Sequence, residues 1–476
     1  MKKIIIVGAG ITGLSAGIGA LEAGYDVAIY EKNQTTGGCC GGWYRDGYYI
    51  DNCMHWLTGT NQNTKMFKLW KKIGAIDETS NLYQGKYFYK SHDESTSIAL
   101  YTDLEQTKRE MLELSPTDSP EIQRFISTVK HLIIANQQAP FIQHTYHTTA
   151  GYVKAYWYYR HLSLADLAKR FQHPLLQKLF TDYLPSYYSS IALLLAYATF
   201  ASGNGKVYQE GSLAFTQNIL HHYLQLGGKI FYNSEVVKVN HPQKTIDSVE
   251  LATGEVIQGD YFFFACDAIH VYQHLLPDIK MPHRLMQKLS EKEKYPIPSA
   301  FQAAYVVDTK EGPVQDTEII AISPQKIGEI ITNRLCVKSY HYLPSTKDEV
   351  VYQLMVPQNE ASYVYWKTLQ EKNPKLYQQE KEKLATELMK QMIQFFPQLK
   401  GHIKLLDSWT PYTYTSYFHA HFGSFMGFSF TQQSSLQGVH SRIRQIQNGY
   451  VLSIWNNITG GLPIACRMGY YATKEI

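Results

Sequence analysis

Residues 2–31 read KKIIIVGAGITGLSAGIGALEAGYDVAIYE, and this stretch decides the fold. The run from Lys2 to Val7 is short, apolar and rich in β-branched residues, which is typical of a buried parallel strand. A helical pattern extends from Leu14 to Ala23 and ends at Gly24, and the stretch from Tyr25 to Tyr30 predicts a second strand. This order of strand, helix and strand predicts an α/β fold with a parallel sheet.

The turn between the first strand and the helix has the spacing GxGxxG, with an acidic residue about 20 positions later. Gly8 permits the tight turn, Gly10 lets the backbone approach a pyrophosphate, and Gly13 lets helix and strand pack closely. The helix N-terminus directs N–H donors at the phosphates, while Glu31 accepts hydrogen bonds from ribose hydroxyls and repels a 2′-phosphate. FAD and NAD both fit this unit, and a turn without a nucleotide is the alternative. The predicted contact residues are Gly8, Gly10, Ile11, Thr12, Gly13 and Glu31.

A second glycine-rich loop follows in residues 31–60, EKNQTTGGCCGGWYRDGYYIDNCMHWLTGT. An NAD domain does not need this loop, whereas FAD is larger and can use it for the ribityl and flavin parts. Glu-Lys followed by Gly-Gly resembles the FAD-binding continuation of amine oxidase and phytoene desaturase-type flavoproteins. The run GGCC with Asp51 and His55 is more similar to the retinol saturase and carotenoid isomerase branch. This resemblance implies FAD, held in part by Lys32, Gly37, Gly38, Cys39 and His55.

Four side chains of this loop need an interpretation of their own. His55 is either a structural histidine in a turn or a residue that faces the isoalloxazine and, titrating near neutrality, handles a proton. Cys53 stands where the related flavoproteins usually have Gly, so the loop backbone near the flavin departs from their pattern. The adjacent Cys39 and Cys40 are interpreted as packing residues rather than a redox disulfide, because neighbouring cysteines rarely reach a comfortable Cα separation.

Two distant segments also resemble this family. The stretch from Tyr208 to Asn240 predicts a loop, a helix and a strand, and Val236 stands where the family's backbone holds the adenine ring. The stretch from Tyr261 to Cys266 resembles the strand that returns to the nucleotide-binding sheet. Near the end of the sequence, a strand, a turn and a helix match the segment that closes on the ribityl and isoalloxazine. The matching turn residues are Gly460, Gly461, Leu462 and Pro463.

The resemblance therefore implies a Rossmann-type FAD-binding domain assembled from discontinuous segments and an α+β substrate-binding domain. We assign residues 1–75, 205–275 and 440–476 to the first domain, and residues 76–204 and 276–439 to the second. Within the second domain, the chain from Leu69 to Ala201 is predicted to be mostly helical.

Composition excludes several classes of function. Of 476 residues, 45 are Lys or Arg and 41 are Asp or Glu, and a net charge of +4 disfavours nucleic-acid binding. The six cysteines contain no C-x-x-C pair, so no metal site is predicted and a reducing cytoplasm is the expected location. No apolar run reaches the length of a membrane span. The basic, aromatic segment from His144 to Phe171 either packs on a core or makes peripheral contact at the inner face of a membrane.

The resemblance implies an FAD-dependent oxidoreductase that saturates, desaturates or isomerises carbon–carbon double bonds of an apolar polyene or lipid. The sequence has no second strand–GxGxxG–helix unit, so electrons are expected to come and go through a quinone, oxygen, a small reductant or the substrate itself. One alternative is an amine oxidase-type enzyme on a polar amine, which predicts a flavin-facing lysine and an aromatic cage. Another is a lipid-binding protein that keeps FAD as a structural group.

Overall fold

A computed structural model of the chain describes residues 1–53, 55–138, 150–345, 348–458 and 460–476. Residues 144–149 of the predicted aromatic segment lie outside this part of the chain. The strands are β1 (Lys3–Val7), β2 (Asp26–Tyr30), β3 (Gly42–Arg45), β4 (Tyr48–Asp51), β5 (Leu82–Tyr83), β6 (Tyr87–His92), β7 (Ser97–Tyr101), β8 (Val207–Tyr208), β9 (Lys229–Phe231), β10 (Val236–Asn240), β11 (Ser248–Leu251), β12 (Val256–Gln258), β13 (Tyr261–Phe264), β14 (Ser299–Asp308), β15 (Thr317–Ile327), β16 (Ile330–Ser339), β17 (Glu349–Gln358), β18 (Ile403–Trp409) and β19 (Gly449–Val451).

The α-helices follow the same chain order. They are α1 (Ile11–Glu22), α2 (Lys65–Lys72), α3 (Leu104–Leu114), α4 (Ser119–Gln138), α5 (Ala150–Arg160), α6 (Leu164–Ala168), α7 (Pro174–Thr181), α8 (Ser190–Ala201), α9 (Gly211–Gln225), α10 (Ala268–His270), α11 (His283–Ser290), α12 (Glu360–Lys372), α13 (Pro374–Phe395), α14 (Pro411–Phe418) and α15 (Leu462–Tyr470). Among the residues described, no helix combines the length and apolar character needed to cross a membrane.

A five-stranded parallel sheet carries the N-terminal glycine turn. Its strand order is β19-β13-β1-β2-β9, with β1 paired in parallel to both β2 and β13. Ile4, Ile5 and Ile6 are fully buried in the central strand. Ile4 and Ile6 share a core cluster with helices α1 and α9, whereas Ile5 shares one with strands β10, β11 and β12. The predicted strand–helix–strand unit is confirmed, and the sheet draws its strands from distant parts of the chain.

Helices α1 and α15 approach closely over this sheet through glycines. A Cβ atom added at Gly19 would lie 2.2 Å from the Tyr470 carbonyl oxygen, and one added at Gly469 would lie 2.2 Å from the Thr12 carbonyl oxygen. Since real Cβ atoms do not come so close to backbone, only glycine permits this packing. The contact places the N-terminus of each helix at the same cavity, described below.

A second sheet of seven strands has the order β18-β14-β17-β16-β15-β6-β7 and is antiparallel except for the β15–β6 pair. The described chain from Leu69 to Ala201 is mostly helical, as predicted, but strands β5, β6 and β7 interrupt it. The β6–β7 hairpin is rich in aromatic residues, and a backbone hydrogen bond of 2.9 Å from the Asp93 N–H to the Thr96 carbonyl oxygen closes its turn. Pairing with β15, more than 200 residues away, holds this hairpin in place.

Candidate functional site

One cavity of about 680 Å³ extends from the carboxyl ends of the parallel strands to the seven-stranded sheet and helix α8. Such a volume is typical of cofactor and small-molecule sites. The structure brings almost all of the predicted site residues to its wall. They are Gly8, Gly10, Ile11, Thr12, Glu31, Lys32, Gly37, Gly38, Cys39, His55, Val236, Gly460, Gly461, Leu462 and Pro463.

The glycine turn has the shape that a phosphate group requires. A Cβ atom at Gly10 would have one described neighbour within 4 Å, the Gly37 carbonyl oxygen at 3.9 Å, so the space above Gly10 belongs to the cavity. Gly8 has a φ of +100°, and its Cβ would lie 2.8 Å from the Ala265 carbonyl oxygen. Gly13 faces away, since its Cβ would lie 1.9 Å from the Gly8 carbonyl oxygen. Gly13 therefore joins helix to strand, while Gly10 leaves room for a ligand.

Glu31 ends strand β2 with a buried carboxylate. Its Oε2 accepts a 2.7 Å hydrogen bond from the backbone N–H of Ala9. Its Oε1 accepts hydrogen bonds from the backbone and side-chain N–H groups of Asn33 at 2.9 and 3.0 Å. A carboxylate offers about four acceptor positions, so this fixed group retains capacity for a ribose hydroxyl.

The second glycine loop lies directly on the first. Gly37 donates a 2.9 Å hydrogen bond from its backbone N–H to the Ala9 carbonyl oxygen, and Gly10 and Gly37 form a parallel bridge. Gly37 has a φ of +108°, and a Cβ there would lie 2.3 Å from the Cys40 carbonyl oxygen. The two loops thus form one continuous wall of backbone, which suits an extended dinucleotide.

Helix α15 reaches the same cavity from the other end of the sequence. Gly461 is its N-cap with a φ of +112°, Pro463 lies in its first turn, and the helix N-terminal N–H groups are directed at the cavity wall. The predicted turn and helix are confirmed. A Cβ atom at Gly461 would meet only the Pro463 Cδ at 3.9 Å among the described atoms. The residues present therefore fit FAD at both glycine loops and at this third segment.

Asp51 anchors the hairpin that leads to His55. Its carboxylate accepts hydrogen bonds from the Ser212 backbone N–H and hydroxyl, both at 2.7 Å, and from the Cys53 backbone N–H at 2.9 Å. Asp51 is 2% exposed. It therefore ties the loop after β4 to the first turn of α9, which is a structural reason for an acidic residue in this motif.

His55 lines the cavity in a desolvated position. Burial, reinforced by the nearby Lys338 ammonium, lowers the pKa of His55 to about 3. The imidazole is therefore neutral at pH 7, which corrects the expectation that it titrates near neutrality. Its contact with FAD and its part in catalysis remain predictions.

This pKa shift makes stability depend on pH. An unfolded histidine titrates near 6.5, so the contribution of buried His55 is fully present above pH 6.5 and is lost as the pH falls toward 3. We expect His55→Gln to reduce the loss of stability between pH 7 and pH 5.5 by about 1 kcal/mol. Urea unfolding at both pH values measures this difference. Equal losses in the two proteins would contradict the assignment.

Sequence reasoning missed Lys338, which lies behind His55. Its Nζ donates a 3.2 Å hydrogen bond to the His55 carbonyl oxygen and lies 4.9 and 5.7 Å from the ring centres of Tyr340 and Tyr342. Burial lowers the pKa of Lys338 to about 8. Tyr340 and Tyr342 thus form an aromatic cage, and the cation that it holds is the ammonium group of Lys338. Lys338 is not among the described residues that line the cavity.

A histidine cluster at the Glu31 end of the cavity was also missed. The His419 Nε2 lies 2.8 Å from the Glu235 Oε1 and 3.1 Å from the Lys32 Nζ, and its ring stacks on His270 with centroids 4.0 Å apart. Burial and the neighbouring histidines lower the pKa of His270 to about 3. These residues lie beside Val236, so they border the predicted adenine position.

The rest of the cavity wall is largely apolar. One polar network crosses it: the Tyr414 hydroxyl accepts a 2.7 Å hydrogen bond from the Gln302 Nε2 and donates a 3.0 Å one to the Asn52 Oδ1. This network joins the second glycine loop to the seven-stranded sheet. The aromatic and aliphatic wall residues include Trp56, Tyr183, Leu184, Tyr188, Leu195, Ala196, Met355, Phe418, Phe425, Phe428, Phe430 and Ile458.

Comparisons with known proteins identify a matching family and a similar protein. The profile of the family described as flavin containing amine oxidoreductase matches residues 11–445. The 4,4'-diaponeurosporene oxygenase of Staphylococcus aureus (strain USA300) is 26% identical over 308 residues, which cover 62% of this chain and 60% of that protein. The chain therefore spans about three-fifths of the length of this relative.

Solved structures show the same architecture. Putrescine oxidase bound to putrescine aligns with a TM-score of 0.62 and 13% identity, over 100% of this chain and 98% of that one. An oxidoreductase from Methanosarcina mazei aligns with a TM-score of 0.60 and 12% identity over the full length of both chains. At such identities the likeness establishes the fold alone, a Rossmann-type FAD-binding fold.

Proposed function

Because the chain belongs to the flavin containing amine oxidoreductase family and is an FAD-dependent oxidoreductase, we propose that it acts on carbon–carbon double bonds of an apolar polyene or lipid. The observation that carries this proposal is the largely aromatic and aliphatic wall of the cavity beyond the glycine loops. The similarity to a protein named as a diaponeurosporene oxygenase supports a polyene. Saturation, desaturation and isomerisation all fit such a site.

The chain's own residues bind the cofactor, orient the substrate and exclude water from the site. FAD supplies the hydride chemistry when it is bound. Glu31 and the N-termini of α1 and α15 hold the dinucleotide, as the first loop and the GGLP turn predict. The apolar wall desolvates an alkene and positions it, and a neutral His55 can donate or accept a hydrogen bond without adding a charge to the apolar site. The domain boundaries given above complete the proposal, with FAD held by the first domain and the lipid by the second.

An anaerobic visible spectrum tests the reaction class. Oxidised holoenzyme is mixed in turn with a polyene, an unsaturated fatty acid and putrescine, and pre-reduced holoenzyme with the same alkenes. Bleaching by a polyene or lipid supports desaturation, whereas reoxidation by an alkene supports saturation. Double-bond isomers formed without net colour change support isomerisation. Bleaching by putrescine alone would overturn the proposal, as would a flavin inert to every compound with no isomer formed.

His55→Ala is expected to slow turnover of the alkene about 100-fold while leaving the ratio of FAD to protein unchanged. Because burial keeps the imidazole neutral, the wild-type rate should show no inflection from His55 between pH 5 and pH 8. Steady-state rates across this range and the flavin absorbance of both proteins check the two statements. Unchanged kinetics in His55→Ala would contradict a catalytic role and leave His55 as a structural residue.

We further propose that helix α5 contacts the surface of a lipid bilayer. Trp157 and Tyr158 are exposed on it, together with Val153 and Lys154. Exposed Tyr187 stacks on Tyr188, which lines the cavity, so a second exposed aromatic side chain lies beside the proposed substrate site. An aromatic face with basic residues suits an interface with anionic lipid.

Trp157→Ser should weaken this contact. Loss of one large exposed aromatic side chain is expected to lower binding to vesicles of phosphatidylglycerol and phosphatidylcholine about tenfold. Co-sedimentation measures it, with Val256→Ser, an exposed residue on strand β12, as the matched control. Equal binding of both variants and the wild type would contradict the assignment.

A further inference from the structure

Two cysteines lie opposite each other where the β3–β4 hairpin enters the cavity. The hairpin pairs Gly42 with Asp51, and one step further the Asn52 backbone N–H donates a 2.9 Å hydrogen bond to the Gly41 carbonyl oxygen. Continuing this antiparallel register by one more residue sets Cys40 opposite Cys53. The pairing is invisible in the sequence, where these cysteines are thirteen positions apart.

The register also gives the type of pair. Residues 41 and 52 are joined by a ladder hydrogen bond, so the next pair is of the non-hydrogen-bonded kind, in which Cα atoms are about 4.5 Å apart. A disulfide needs a Cα separation of about 4.4–6.8 Å. A hydrogen bond with Cys53 and burial also raise the pKa of Cys40, which agrees with contact between the two thiols. The extended register and the hydrogen bond of Cys40 with Cys53 therefore agree with the separation that a disulfide requires.

The pair lies at the predicted flavin site. Both cysteines line the cavity together with Gly38, Asn52 and His55. Cys336 and Cys466 are not among the described residues that line it.

We propose that Cys40 and Cys53 form a redox-active dithiol that passes two electrons to the bound flavin. The two S–H bonds break and one S–S bond forms, while the oxidised flavin takes up two electrons and two protons. An external dithiol then restores the pair by thiol–disulfide exchange, leaving as its own cyclic disulfide. The electron donor is thus a small dithiol or dithiol protein, which fits a sequence without a second dinucleotide-binding unit.

The inference rests on the bound FAD and extends the proposed alkene chemistry by naming its electron source. It differs from the expectation for Cys39 and Cys40, whose adjacency disfavours a bridge. The hydrogen bond with Cys53 and burial raise the pKa of Cys40, so its thiol is protonated at neutral pH. Oxidation of this pair to a disulfide is therefore expected to be slow in apoprotein, which has no flavin to accept the electrons.

The test uses holoenzyme and dithiothreitol without any alkene. Under anaerobic conditions, the visible absorbance of the oxidised flavin should fall at least about tenfold faster in the wild type than in Cys40→Ser or Cys53→Ser. Cys336→Ser is the matched control and should behave as the wild type. Equal rates in all four proteins would overturn the proposal.

Peptide mapping gives a second readout that needs no variant to fold or to bind FAD. Wild-type holoenzyme left in air after removal of dithiothreitol should lose two alkylatable thiols and yield a Cys40–Cys53 linked peptide, while apoprotein treated alike should retain six. Six free thiols in the aerated holoenzyme would overturn the proposal. Neither readout involves substrate, so failure here leaves the alkene chemistry standing, and failure of the alkene test leaves the dithiol standing.

Discussion

Gly10→Val is expected to purify as a folded protein without flavin. A side chain at Gly10 would project into the space that the structure leaves open above the turn, where the Gly37 carbonyl oxygen at 3.9 Å is the one described neighbour of an added Cβ. The valine methyl groups would occupy the position of the pyrophosphate. We expect FAD affinity to fall by more than about 100-fold, or about 3 kcal/mol. The ratio of flavin to protein absorbance and a titration of apoprotein with FAD measure this loss.

Gly13→Ala provides the contrast, because its Cβ would lie 1.9 Å from the Gly8 carbonyl oxygen, inside the protein rather than in the cavity. This variant is expected to unfold more readily, by about 1–3 kcal/mol for an overpacked contact. Gly10→Val apoprotein should instead unfold close to wild-type apoprotein. Full FAD occupancy in Gly10→Val would refute the site assignment.

Asp51→Ala is expected to cost about 3 kcal/mol of stability, since buried donors of Ser212 and Cys53 would lose a charged acceptor. The loop that carries His55 would also lose its tie to helix α9. Urea unfolding measures the stability, and FAD titration measures the accompanying loss of affinity.

Asp26→Ala is the matched control for this substitution. The Asp26 carboxylate forms a 3.2 Å ion pair with Lys229, whose side chain is 60% exposed, so its loss should cost less than about 1 kcal/mol. Similar losses in the two variants would show that Asp51 does not anchor the loop.

Local patterns predicted the nucleotide-binding half of the cavity. The positions of Gly8, Gly10 and Gly13 follow from the spacing of one turn, and the roles of Gly10 and Gly13 separate in the structure as that spacing implies. The turn around Gly461 and Pro463 was predicted for the same reason, because a helix start is encoded by adjacent residues.

Long-range contacts set the limit of this reasoning. Lys338 reaches His55 across 283 positions, and His419 meets Glu235 across 184. No spacing rule connects such residues, because tertiary packing alone brings them together. The pKa of His55 was misjudged for a related reason, since it depends on burial that the neighbouring residues do not encode.

The parallel sheet has a consequence for how the protein is made. Its edge strand, Gly449–Val451, pairs with β13, and the GGLP turn at Gly460–Pro463 completes the cavity that begins at Gly8. A ribosome adds about 5–20 residues per second. Tens of seconds therefore pass between the synthesis of the first glycine loop and that of the turn at Gly460–Pro463. Throughout that interval the apolar face of β1 lacks its full cover. We therefore expect nascent chains to need chaperone protection until Gly460–Pro463 have emerged from the ribosome, and FAD to bind only after that point.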